Sequence, residues 1–324
     1  MALPLPRQPR YLVCLAPPGK ESALSFTHVG ETAALATALS WSFTALFFTW
    51  ASDRIGAVTV NRTRLVMAAG LLSLAHILLL GTPLPDAGRT AWLWLGLSGI
   101  VGLTIGDSFL FQSLVDVGPR KALLAMSSWP VFSALLAFAF FGESLGLIEL
   151  AGIGLTLSGI AWVVFEENPP KAEGAGRREH TARGIACAVA AAVCQAAGLV
   201  LAKEGLGSGL SPLSGTLIRM IVAAIAIWLL AIATRRAGES IAKLRDLRAV
   251  LFTAGGAFTG PFAGVWMSLV AVSHAKVGVA SALMALVPVL LIPLVRIFLR
   301  EHVSWRAMIG TLVSFIGVLL LFIK

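Results

Sequence analysis

Asp107 is the residue most clearly placed to do chemistry. It stands in Gly102-Leu-Thr-Ile-Gly106-Asp107-Ser108, inside a long apolar run. A carboxylate at membrane depth costs about 3 kcal/mol and persists mainly where it faces a cavity or a partner. It could hold an ammonium group of a solute or carry a coupling proton. It could equally be a packing acid bonded to a neighbouring helix. At comparable depth lie Trp41, Ser42, His76, Gln112, Ser127, Ser128, Trp129, Gln195 and Trp266. A binding pocket needs a few convergent polar groups in an apolar wall. Trp41 and Gln195, at similar places in the first and sixth apolar segments, are the fairest cavity candidates. Each of these residues also has the ordinary reading of an interhelical hydrogen bond or filler.

Other chemistry finds no support. The chain has no HExxH, paired CxxC, complete P-loop or GxSxG pattern, so no enzyme and no cofactor are expected. His76 has no second ligand at metal spacing. Cys187 and Cys194 share one helical segment at seven residues, about 10 Å apart at 1.5 Å per residue, too far for a disulfide.

The elements that must position these residues are membrane helices. The 324 residues are 57% hydrophobic and 13% charged, too few charges to cover a soluble surface, so lipid must solvate much of it. The net charge of +9 sits in short clusters between apolar runs, which reads as loops meeting anionic headgroups rather than as a nucleic-acid surface. Ten apolar segments follow, each bounded by charges, Pro or Gly: Ala33–Ala51, Leu65–Leu80, Ala91–Val115, Ala122–Phe141, Leu145–Phe165, Gly184–Leu201, Leu213–Thr234, Ala249–Ser273, Gly278–Leu299 and Ala307–Ile323. Residues 1–30, rich in proline, are expected to be a mobile tail. Residues 166–183, with Pro169-Pro170 and several charges, read as a polar linker between five spans at 31–165 and five at 184–324.

The two sets match each other. A shift of 158 residues pairs Ala122 with Ala280, Met126 with Met284, Pro130 with Pro288, Glu143 with Glu301, Gly152 with Gly310 and Gly159 with Gly317. Upstream it pairs Gly102 with Gly260 and Gly106 with Gly264, and a shift of 155 pairs Arg64 with Arg219. Agreement of Pro, Glu and four Gly pairs in one register is not expected of unrelated apolar helices. The fold expected is therefore an all-α polytopic membrane protein of ten transmembrane helices, arranged as two five-helix repeats. Five crossings leave the chain on the far side, so the second copy enters inverted, an architecture recurrent in transporters with a site near the midplane.

Repetition also assigns candidate roles. Pro130 and Pro288 are expected to kink the fourth and ninth helices and Pro261 the eighth, as structural bends or gating hinges. Gly99, Gly102 and Gly106 share one helical face, as do Gly256, Gly260 and Gly264; close packing is the simpler reading, a discontinuous helix exposing backbone the functional one. Arg64 and Arg219 are placed at the starts of helices two and seven, Glu143 and Glu301 at the ends of helices four and nine. Snorkelling and inter-loop pairing account for such charges; a pair of gates is the alternative. Asp107 has Val265 as its counterpart, so any role for it is asymmetric.

The segments Gly118-Pro-Arg-Lys-Ala through Pro130-Val131 to Phe141-Gly142-Glu143, and Ala280 through Pro288-Val289 to Leu299-Arg300-Glu301, resemble the two EamA repeats of the drug/metabolite transporter superfamily. The likeness covers residues 30 to 324, with Arg300 departing from the usual Gly before the closing Glu. It implies ten helices and secondary transport of metabolites, amino acids, sugars or toxic compounds, often outward. The partners expected are a small-molecule solute, with or without a coupling proton, and the lipid bilayer, with no nucleic acid. The location expected is the bacterial cytoplasmic membrane. About two thirds of the 25 basic residues fall on the side away from the termini, which by the positive-inside rule puts the termini outside; the resemblance implies cytoplasmic termini. A non-transporting scaffold or sensor that keeps the fold is the other class of reading.

Overall fold

The computed structural model describes residues 28–166, 181–207, 209–298 and 305–322. Most of the expected tail and linker, and Glu301 with Arg300, lie outside them. All regular structure among the described residues is helical. The elements are α1 (Val29–Ile55), α2 (Ala57–Leu80), α3 (Arg89–Ser98), α4 (Asp107–Met126), α5 (Trp129–Phe141), α6 (Leu147–Glu166), α7 (Thr181–Leu206), α8 (Pro212–Ala233), α9 (Ala237–Lys243), α10 (Leu247–Ala257), α11 (Val265–His274), α12 (Val277–Met284), α13 (Val287–Phe298) and α14 (Trp305–Phe322).

Among the described residues, six helical stretches are long and apolar enough to cross a bilayer: Val29–Ile55, Ala57–Leu80, Arg89–Val117, Ala182–Leu206, Pro212–Ala233 and Leu247–His274. Shorter apolar helices run over Trp129–Phe141, Leu147–Trp162, Val277–Leu291 and Met308–Phe322. The fourth and ninth apolar segments are short because each is broken rather than kinked. α4 stops at Met126 and α5 starts at Trp129 with Pro130 in its first turn. α12 stops at Met284 and α13 starts at Val287, followed by Pro288. Proline is tolerated in a first turn because the N–H it lacks would have no helical partner there.

The third and eighth spans run without a break but change pitch. Between α3 and α4 the chain is π-helical over Gly99–Gly106, and between α10 and α11 over Phe258–Gly264, with Pro261 inside. Both segments fall at matching places in the 158-residue register.

Contacts between the two halves are reciprocal. α1 packs on α10, α11, α12 and α13, while α7 packs on α3, α4 and α5; α2 pairs with α8, and α6 with α14. The glycines set the approach distance. A Cβ on Gly159 would lie 2.3 Å from Ser314 Oγ and 2.5 Å from the Gly310 carbonyl, and one on Gly317 would lie 2.5 Å from Thr156 N. Gly256, Gly260 and Gly264 meet Phe48, Thr44 and Trp41 of α1 equally closely, and Gly106 and Gly198 meet Cys194 and Gly102 across the α7 contact. Apolar side chains such as Leu78, Leu93, Leu147 and Leu319 point outward, as lipid-facing positions should.

Gly159→Val is expected to lower the melting temperature of the detergent-purified protein, because overpacking costs about 1–3 kcal/mol. Gly154→Ala, on the same helix with nothing within 4 Å of an added Cβ, should leave it unchanged or gain up to about 1 kcal/mol.

Candidate functional site

Arg64 and Arg219 are not at helix starts. Each is the eighth residue of its helix, α2 from Ala57 and α8 from Pro212, about 10 Å along the axis at 1.5 Å per residue. They enter from opposite ends: Glu31 near the start of α1 and Lys203 near the end of α7 line one cavity, so the ends of α1 and α7, after which α2 and α8 begin, lie apart. Snorkelling is not what the structure shows: both point into the bundle.

Arg64 meets Asp107 directly, its Nη2 donating to Oδ2. Its Nε donates to Asn61 Oδ1 at 2.8 Å, and its guanidinium lies 5.5 Å from the centre of the Phe48 ring. Asp107 opens α4 immediately after the π-helical segment, so the change of pitch sets the direction in which its carboxylate leaves the helix. Arg219 is 4% exposed, and its Nε and Nη1 have no hydrogen-bond partner. Its Nη2 would lie 3.7 Å from a Cβ on Gly102, and its own backbone carbonyl 2.4 Å from one on Gly99. Asp107 feels the charge of both guanidinium groups.

The other expected site residues are more dispersed. Trp41 lies against Gly264 and is the aromatic side chain that touches both large apolar clusters, one around α12 and one around α8. Trp266 joins the α8 cluster and meets Phe262 edge-on at 5.9 Å. Trp129 is buried in the α12 cluster. Gln195 is half-buried on α7. Gln112 faces outward and donates to Asp116 Oδ1 at 2.9 Å, near the far end of the third span. His76 bridges the Thr82 carbonyl at 2.6 Å and Ser214 Oγ at 3.0 Å.

Two sets of ion pairs tie the halves together at opposite ends. At one end Lys203 Nζ contacts Glu143 Oε1, while Glu143 Oε2 accepts from Val277 N at 2.9 Å, capping the first turn of α12. Beside it Lys276 Nζ donates to Glu149 Oε2 at 2.7 Å. These side chains, with Glu31 and His274, line a cavity of about 360 Å³. At the other end Arg183 grips Asp116 at 2.7 and 2.8 Å, and Arg54 Nε donates to Asp246 Oδ2 at 2.7 Å. Asp246 also caps α10. The hydrogen bond from Arg54 holds its carboxyl below the ordinary range, with the Ala249 N–H adding to this. Arg183 and Lys203 sit on one helix, about 30 Å apart at its helical rise, close to the thickness of a hydrocarbon core.

Asp116 and Lys203 were not singled out by sequence. Asp116 falls one residue past the expected end of the third segment, and Lys203 reads as one more loop charge. Arg62 was missed in the same way: it is buried, its Nη1 donating to Ser240 Oγ at 2.7 Å and to the Arg236 carbonyl at 3.3 Å, which ties α2 to the short helix α9. A search for Asp or Glu just past segment ends would have found Asp116; nothing in the sequence marks its partner.

Breaking the Arg64–Asp107 pair from one side should strand a buried charge. Arg64→Gln and Asp107→Asn are each expected to cost about 3 kcal/mol of stability. Arg64→Gln combined with Asp107→Asn should cost less than the two single losses added, which a double-mutant cycle by thermal unfolding checks.

Comparison with known proteins gives the family and the fold. Residues 28–165 and 182–323 each match the model of the EamA-like transporter family. A chloroplastic WAT1-related protein of Arabidopsis thaliana is 31% identical over 134 residues, 38% of this chain and 32% of that protein. The chain therefore spans about a third of that relative. A solved crystal structure superposes with a TM-score of 0.70 at 20% identity, over 91% of this chain and 98% of that one, and shows the shared fold. With nearly its whole described length matched in two stretches, the chain belongs to the EamA-like transporter family, integral membrane proteins of the drug/metabolite transporter superfamily.

Proposed function

We propose that this protein is a secondary transporter that moves a small metabolite or toxic compound across the membrane by alternating access. The observation that carries this reading is the pair of cross-half ionic ties, Glu143–Lys203 with Glu149–Lys276 at one end and Asp116–Arg183 with Arg54–Asp246 at the other. Between them lie the buried charges Arg64, Asp107 and Arg219. Each set closes one end of the path between the halves. Rocking the halves about their shared contacts would open one set while keeping the other.

The reciprocal packing of α1 and α7, and the pairing of α2 with α8 and α6 with α14, support two inverted five-helix repeats over 31–165 and 184–324. In that arrangement the broken α4–α5 and α12–α13 stretches and the shorter α6 and α14 complete ten spans. Pro130, Pro288 and Pro261 are then hinges, the first two at breaks and the third within a π turn that leaves backbone bonds easier to rearrange. Export from the bacterial cytoplasm fits the family, and Asp107 is the candidate coupling acid.

Asp107→Asn should reduce solute flux in proteoliposomes more than it reduces folded yield. Equal losses would remove Asp107 from transport and leave it a packing residue. If flux is coupled to protons, it should depend on pH, and Asp107→Asn should abolish that dependence. An exchanger would instead need solute on the trans side. Failure of every solute to move, with the protein folded, would favour a scaffold or sensor.

A further inference from the structure

We infer that Arg219 is the anchor for a carboxylate carried by the solute. This deepens the transport reading above and rests on it for the word solute, though not for the site. The argument starts from the duplication. Arg64 and Arg219 occupy the same eighth position of α2 and α8, so whatever neutralises one should have a counterpart near the other. Arg64 has its neutraliser built in, Asp107. The residue in Asp107's place in the second copy is Val265, which is buried and carries no charge. One copy supplies a carboxylate to its arginine and the other does not.

The geometry at Arg219 agrees. The side chain is 4% exposed, yet Nε and Nη1 are without hydrogen-bond partners. A guanidinium has five N–H donors and no way to shed its charge under ordinary conditions, and leaving it unpaired at this depth is expensive. Asp107 makes its hydrogen bond to Arg64 and none to Arg219 Nε or Nη1, and two guanidinium groups with one carboxylate carry a formal net charge of +1. An arriving monoanion brings the cluster to neutrality. Gly99 lets the π-helical segment pack directly on the backbone of Arg219, and the guanidinium Nη2 lies beside Gly102 of the same segment. Arginine favours the planar carboxylate, to which it donates in parallel pairs. The ligand class is thus a small organic acid or an amino acid bound through its carboxylate.

The test uses matched pairs that differ in this one group: propionate against propionamide, benzoate against benzamide, and alanine against alaninamide. Binding of each to the purified full chain in nanodiscs is measured by calorimetry, and movement of each into proteoliposomes is measured separately. At least one acid should bind tenfold or more tightly than its amide. That preference should be lost in Arg219→Gln. It should also be lost in Val265→Asp, which offers Arg219 an internal carboxylate in the place that Asp107 holds in the first copy. No acid preference in any pair overturns the proposal, whatever becomes of the variants. So does an acid preference that survives Arg219→Gln. Arg219-dependent binding without flux of any compound keeps the site and removes the transport reading. Flux of neutral or cationic compounds that Arg219→Gln leaves unchanged, with no acid preference in binding, does the reverse.

Discussion

A charged group surrounded by hydrocarbon must find its counter-charge inside the protein, and much of this structure follows from how that requirement is met. Arg64 is held by Asp107, by the Asn61 amide oxygen and by the face of Phe48. Asp116 is held by both sides of the Arg183 fork. Arg62 leans on a hydroxyl and a carbonyl at the start of α9. These contacts join helices that are far apart in sequence, so they fix which spans are neighbours as well as where charge can sit. Arg219 stands apart from this pattern, buried with its Nε and Nη1 unpaired.

Neutralisation needs short distances, and small residues provide them. α6 and α14 touch backbone to backbone through Gly152, Gly159, Gly310 and Gly317. In lipid no hydrophobic force pushes two apolar helices together, so dispersion over a close contact and its few hydrogen bonds must do so. The hydrogen bond from Ser314 Oγ to the Thr156 carbonyl, at 3.2 Å, is available only because the glycines let the helices approach. The same logic seats Trp41 in the surface left by Gly264, where one indole links the two large apolar clusters.

Much of this architecture could be read from the sequence. Hydropathy marked where the apolar helices run, and most of the Gly pairs at a shift of 158 turned out to lie at close interhelical contacts. The sequence could not give azimuth or depth. Arg64 looked like the first residue of a helix because the polar turn Thr59-Val-Asn-Arg-Thr63 before it lowers the local hydropathy; those residues are buried against neighbouring helices instead. Pro130 announced a bend, but whether a proline kinks a helix or starts a new one depends on the turn before it, here Ser127-Ser128. Glu143 was recognisable as a repeated position, whereas its partner Lys203 comes from another helix and no local pattern links them.

The π-helical segments have a consequence for the angular phase of the spans they interrupt. An α-helix turns about 100° per residue, and a π turn fits more residues into each turn, so side chains beyond it are rotated from where an uninterrupted helix would aim them. Asp107 and Val265 both follow such a segment directly. The direction each presents to the bundle is therefore fixed by the preceding turn of backbone more than by its own identity. Because the interruption falls at the same register in each half, the two spans keep a common angular frame, and a change of one residue type at either position alters the charge offered without altering where it is offered.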